Sequence, residues 1–179
     1  GDLSGSIIAT DGALSTISVG GQMTAGTISA SATVNTDADI TSITIAKGIS
    51  GGTIAAEDAI GSITVTAGGV SGATMTSIGS ITGALSVGGS LASAVTTTVG
   101  GIGSVSITAD PASVGSGDLT ANITSQTGIA GTIGVADVLN ATITATTGNI
   151  GAITVGGNIA AGTITATAGN ISSITGTGT

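Results

Sequence analysis

Gly148 to Ala168 reads GNIGAITVGGNIAAGTITATA, and from Gly169 the phrase starts again as GNISSIT. Self-similarity at a fixed period of about 20–50 residues marks a solenoid or an array of stacked units. Within this stretch Ile150, Ile153, Val155, Ile159 and Ile164 stand at offsets 0, 3, 5, 9 and 14. The same offsets fit Leu14, Ile17, Val19, Met23 and Ile28, and again Ile40, Ile43, Ile45, Ile49 and Ile54. The turn from Ile60 departs by one residue, with Ile63, Val65, Val70 and Met75 at offsets 3, 5, 10 and 15. Extending the pattern puts turn starts at Leu14, Ile40, Ile60, Ile78, Ile102, Ile129, Ile150 and Ile171, whose successive numbers differ by 26, 20, 18, 24, 27, 21 and 21. The unit is therefore about 20–22 residues with insertions, and about eight units run through residues 1–179 as one domain.

Each unit carries two short alternating stretches. Ile153-Thr154-Val155 and Thr163-Ile164-Thr165-Ala166-Thr167 alternate apolar with hydroxyl residues, the period of a half-buried strand. Gly156-Gly157-Asn158 and Gly169-Asn170 between them are turn chemistry. No helical stripe persists, and Thr, Val, Ile and Gly are poor helix formers, so the chain reads as all-β. Positional identity from unit to unit favours a coil over a sandwich or barrel. In a parallel β-helix each side chain sits over its counterpart about 4.8 Å away, and columns such as Ile40 over Ile60, or Ile150 over Ile171, merge into one narrow core. Spacings of 3, 5, 9 and 14 do not match a left-handed hexapeptide coil, and parallel crossovers are strongly right-handed. A right-handed parallel β-helix is the expected fold.

Composition narrows function mostly by exclusion. The 179 residues hold one basic side chain, Lys47, against nine acidic ones, with no His, Cys, Phe, Tyr or Trp. Such a balance offers no attraction to nucleic acid or an anionic membrane surface. Absence of Cys removes disulfides and thiolate metal sites, and no apolar run approaches the roughly 20 residues of a membrane helix. No cofactor is expected. Catalysis has little to work with: no His for general base chemistry, no Cys nucleophile, one cation for a developing anion, and many Ser without an activating partner. The expectation is that the chain is not an enzyme.

Three departures from strict periodicity are expected to be surface loops or lateral contact points: Ser29 to Asp39, Thr82-Gly83-Ala84, and Ala109 to Asp118, which holds the only proline, Pro111. Asp37 and Asp39 precede Ile40, and Glu57 and Asp58 precede Ile60, so four carboxylates share one corner on adjacent turns. They form either a solvated acidic corner or a Ca²⁺ site of clustered carboxylates. In later turns Asn149 and Asn170 take that corner, where amides can ladder without repulsion. Thr142, Thr144 and Thr146 lie beside Thr163, Thr165 and Thr167 on an outward face, with Thr74 and Thr76 further down. Such hydroxyl columns resemble ice-binding surfaces. This column is expected to break at Ala55 and at the irregular turns from Ile78 and Ile102.

The GNIxxITVGGNI…GTITA phrase resembles, over essentially the whole chain, the Gly/Thr/Ser-rich repeats of secreted bacterial surface proteins, including β-helical adhesins and autotransporter-like passengers. The resemblance implies an extracellular or cell-surface setting and a scaffold, adhesion or fibre role. Neither end reads as the polar cap a solenoid needs. The first residues, Gly1 to Ile7, match the second half of a turn, and Gly169 to Thr175 match the first half. Joined end to end, they give one turn of ordinary period from Ile171 to Leu14. The expected role is a structural subunit of an extracellular filament, partnering itself head to tail through Leu3, Ile7, Ile171 and Ile174. An excerpt of a very long adhesin solenoid and an ice-binding Thr array are the alternatives.

Overall fold

A computed structural model describes residues 1–33 and 37–178. Short Ile/Val/Thr stretches are too brief to bury a face alone, so each pairs in parallel with the equivalent stretch one turn away. A first sheet of eight strands comprises Leu14–Val19, Ile40–Ile45, Ile60–Val65, Ile81–Gly88, Ile102–Thr108, Ile133–Val135, Ile150–Val155 and Ile171–Gly176. A second sheet of eight comprises Ile7–Ala9, Thr27–Ala30, Gly52–Ala56, Ala73–Ser77, Val95–Thr97, Ile123–Ser125, Ile143–Ala145 and Ile164–Ala166. A narrower third face is a ladder of parallel bridges and two-stranded pairs running Leu3, Met23, Ile49, Val70, Leu91, Leu119, Leu139, Ile159. Every pairing among the described residues is parallel, and they contain no helix. The chain is an all-β solenoid of about eight turns, about 21 residues each.

Registers place Leu14, Ile40, Ile60, Ile81, Ile102, Ile129, Ile150 and Ile171 in one column. The fourth turn thus begins at Ile81, not at Ile78 as the spacing suggests. Ile78 lies on the corner before it, 48% exposed. The cause is a one-residue bulge: Ile81 and Leu85, four apart, pair with Ile60 and Ile63, three apart. Ile78 and Ile81 therefore mimic the usual spacing by coincidence. With Ile81 in place, successive starts differ by 26, 20, 21, 21, 27, 21 and 21. The two long intervals hold the insertions before Ile40 and between Thr108 and Leu119, the first of which includes 34–36, outside the described residues.

Inward positions form one continuous cluster of Ile, Val, Leu, Met and Ala. Its narrowness explains why no aromatic side chain is used, since each cross-section admits only a few aliphatic groups. One inward column is mixed. Ser77, Thr97 and Ser125 follow Ala30 and Ala56 and precede Ala145 and Ala166. Their buried hydroxyls donate to corner carbonyls: Ser77 Oγ to Asp58 O (2.6 Å), Thr97 Oγ1 to Gly100 O (2.8 Å) and Ser125 Oγ to Gly128 O (2.7 Å). Each of these carbonyls also accepts a backbone N–H, from Gly79, Thr127 and Ile102 respectively, so the inward hydroxyl takes the second lone pair and is not itself buried unpaired. Gly61, Gly83, Gly103, Gly131 and Gly151 also stack along the axis. A Cβ on Gly83 would stand 2.5 Å from Gly61 O, and one on Gly131 2.6 Å from Gly103 O. Backbones on successive turns approach too closely there for a side chain.

Candidate functional site

An interior core side chain is covered by counterparts on both neighbouring turns, but in the first and last described turns one neighbour is missing. Ile150 and Ile153 are fully buried, while Ile174, paired with Ile153, is 46% exposed and Ile171, paired with Ile150, is half-buried. Ile159 is also 46% exposed and Ile164 half-buried. At the opposite end Leu3, Ile7 and Leu14 are half-buried and pack on the core from one side. The four predicted interface residues thus fall into two apolar end surfaces, Leu3 and Ile7 on one, Ile171 and Ile174 on the other. Sequence reasoning missed Ile159, Ile164 and Leu14, although the column rule that located Ile171 reaches them too.

The corners carry a second regularity. At the residue just before a strand's or bridge's first core side chain, a side-chain oxygen accepts the N–H of its equivalent one turn later. Asp2 Oδ1 accepts from Gln22 (2.9 Å), Asp39 Oδ1 from Ala59 (2.9 Å) and Ser80 Oγ from Gly101 (3.0 Å). Asp118 Oδ1 accepts from Val138 (3.0 Å), Asn122 Oδ1 from Thr142 (3.2 Å) and Asn149 Oδ1 from Asn170 (2.8 Å). The backbone changes direction at these corners and cannot keep its ladder, so a short acceptor side chain supplies the missing bond.

This regularity bears on the four carboxylates considered for calcium. Asp37, Asp39, Glu57 and Asp58 line the corner segments before Ile40 and Ile60, and Asp58 N–H reaches Ala38 O (3.4 Å). Asp39 binds the Ala59 N–H, and Glu57 Oε2 accepts from Ala32 N–H (2.9 Å). Asp37 and Asp58 face solvent. Among the described residues no group of three or more His, Cys, Asp or Glu is arranged to hold a metal ion.

Outside the second sheet, Thr76, Thr96, Thr124, Thr144 and Thr165 form an in-register column of half-buried side chains over five turns. It ends at Ala55, as expected. It does not break at the irregular turns, because the bulges lie in the first sheet and the third face while the second sheet pairs without a shift. Thr27, Thr53 and Thr74 make a parallel column beside it.

The insertion between Thr108 and Leu119 is pinned at its base. Asp110 is 8% exposed; its Oδ2 accepts from Gly68 N–H and its Oδ1 from Ala112 N–H (2.9 Å each). These bonds, Ala112 first and Gly68 second, hold its carboxyl below the usual value, against the opposing effect of burial. Ser90 Oγ accepts from Gly117 and Asp118, and Val114 stands fully exposed at the apex. A shallow groove of about 580 Å³ follows the glycine stack past Gly103 and Gly151. It presents no charged side chain and no set of groups with a chemical task. No protein-family model, curated protein or solved structure matches this chain.

Proposed function

We propose that the protein is a structural element of an extracellular filament, in which copies stack head to tail along the solenoid axis. The observation that carries this reading is that the first and last described turns present the same three aliphatic columns, half-buried or exposed at each. In the uninterrupted turns the three face columns follow at offsets such as 9, 14 and 21 (Ile150 to Ile159, Ile164 and Ile171). Ile159, Ile164 and Ile171 of one copy can then lie beneath Leu3, Ile7 and Leu14 of the next, burying both apolar surfaces and pairing both open strand edges. A head-to-tail contact of this kind does not close on itself and propagates.

The acidic, cysteine-free, Ser/Thr/Gly-rich chain and its resemblance to surface-protein repeats support the extracellular setting, with no role for a cofactor, nucleic acid or membrane insertion. Eight turns at about 4.8 Å give an axial rise near 38 Å per copy. Electron microscopy of native material tests this: filaments repeating at about 38 Å support it, and single particles at all concentrations refute it. A mass for the denatured native polypeptide many times 16.2 kDa would instead identify these turns as one stretch of a long adhesin solenoid. The unbroken Thr column favours a second reading, ice binding, which the absence of thermal hysteresis in purified protein would dismiss.

A further inference from the structure

Between the first and last turns, the described residues expose three large aliphatic side chains: Ile78, Val99 and Val114. Ile78 and Val99 sit on neighbouring turns at one corner of the solenoid, where the second sheet passes to the first, and Val99 N–H donates to Ile78 O (2.8 Å). The shallow groove opens beside them at Ser80 and Gly101. Val114 crowns the insertion at another corner, where the first sheet passes to the third face. The two corners share a level, since Val99 stands before the strand Ile102–Thr108 and the insertion follows it. Bonds from Gly68 to Asp110, and from Gly117 and Asp118 to Ser90, lean the insertion against the two preceding turns, so it spans the level of Ile78 as well. Charge is arranged in the same way. Lys47, the one basic side chain, is exposed just after Ile40–Ile45, on the corner that carries Val114. Asp37 stands just before that strand and Asp58 one turn on, both exposed, on the corner that carries Ile78 and Val99.

We propose that the protein binds a second copy of itself flank to flank: Val114 of one copy packs on Ile78 and Val99 of the next, and Lys47 of the first faces Asp37 and Asp58 of the second. One displacement along the strands of the first sheet, without rotation or axial shift, satisfies both matches, because each pair brackets the same strands. Copies of net charge −8 repel one another, so a lateral self-contact has to run over uncharged surface or use the single cation. The insertion tip from Pro111 to Gly115 carries no charge, and neither do the corners from Ile78 to Ser80 and from Val99 to Gly101. Of the four carboxylates on the acidic turns, Asp39 and Glu57 are spent on backbone N–H groups, which leaves Asp37 and Asp58 towards solvent for Lys47. Both corners run from charge to apolar in the same axial order, so only parallel copies in register meet both. Apolar burial at Val114 supplies attraction, and the charges fix register. The contact joins two different surfaces and repeats, extending a row of parallel solenoids. It widens the fibre reading from the axis to the flank, and it holds whether or not copies also stack end to end.

The test uses the full chain. Lateral association is read by sedimentation equilibrium and by width in negative stain, whereas axial stacking is read as length. Val114→Ser, and Ile78→Ser together with Val99→Ser, should each weaken lateral association on the order of tenfold while keeping the circular dichroism of the parent. Lys47→Glu should weaken it to a similar degree, and so should Asp37→Lys with Asp58→Lys, in spite of the smaller net charge. An equal mixture of these two charge variants should associate again, because every contact in an alternating row then sets opposite charges together. Neither a damaged fold nor a change in net charge produces that recovery. Association of every variant like the parent's, or no recovery in the mixture, overturns the flank contact. Filaments one solenoid wide overturn it and leave axial stacking intact. Side-by-side rows without axial growth support it and overturn axial stacking, and a parent that stays single at all concentrations overturns both.

Discussion

Ile153 and Ile174 offer a controlled comparison, being the same residue type in the same column one turn apart. Ile153 is fully buried between Ile133 and Ile174, whereas Ile174 rests on Ile153 alone and is 46% exposed. Truncating a buried Ile to Ala costs about 2–5 kcal/mol, because a cavity joins the lost transfer energy. Ile174 already stands half in water and its truncation leaves an open notch, so the cost falls to about 1 kcal/mol. Ile153→Ala should therefore lower stability by about 2 kcal/mol more than Ile174→Ala. Urea denaturation followed by circular dichroism, at concentrations below any assembly, measures both. Equal losses under dilute conditions would refute the column assignment or the open terminal turn. If copies stack as proposed, the cost of Ile174→Ala should climb towards that of Ile153→Ala as protein concentration rises.

Four further outcomes are expected. Gly103→Ala should destabilise by about 1–3 kcal/mol, since its Cβ would meet the Thr82 carbonyl at 2.5 Å; a melting temperature equal to the parent's would refute the close stacking. Thr97→Val removes one hydroxyl bond to Gly100 O, which keeps the Thr127 N–H, and should cost about 1 kcal/mol in urea titration; a loss several times larger would refute that account of the corner. Thr154 faces outward, so Thr154→Lys should change stability by no more than about 0.5 kcal/mol, and a large loss would invert the strand register. The Asp110 carboxyl lies below its ordinary value of 3.8 in the fold. Its stabilisation is therefore complete above the unfolded value and is lost as pH falls through the lower folded one. Protection of the Gly68 N–H, its exchange compared with the intrinsic amide rate at each pH, should fall only in acid, and Asp110→Asn should abolish that dependence.

Much of this architecture was legible because stacking forces chemical identity between turns. Ile150, Ile153, Val155, Ile159 and Ile164 repeat because each must match the aliphatic group below it, so counting residues amounts to reading the core. The count slips only where a bulge intervenes, as between Ile81 and Leu85, since an added residue that leaves both neighbours in their columns has no compositional mark. Corner roles were legible in part. The Asn149–Asn170 amide ladder is anticipated by type, but Asp39 reads as a metal-ligand candidate until its oxygen is seen on the Ala59 N–H. The buried hydroxyls of Ser77, Thr97 and Ser125 were not legible. In a chain this rich in Ser and Thr, an inward hydroxyl looks like any outward one, and only the carbonyl it meets distinguishes it.

The parallel ladders have a mechanical consequence. Their hydrogen bonds lie along the solenoid axis, so tension between the ends loads successive turns in series, and the weakest gives way alone. Each released turn of about 21 residues exchanges a rise of about 4.8 Å for about 70 Å of extended chain. Its two neighbours keep their own ladders, and the slack shields them from the pull. A rod of this kind lengthens stepwise under load and shortens again as turns re-form on the intact stack, behaving as an extensible tether.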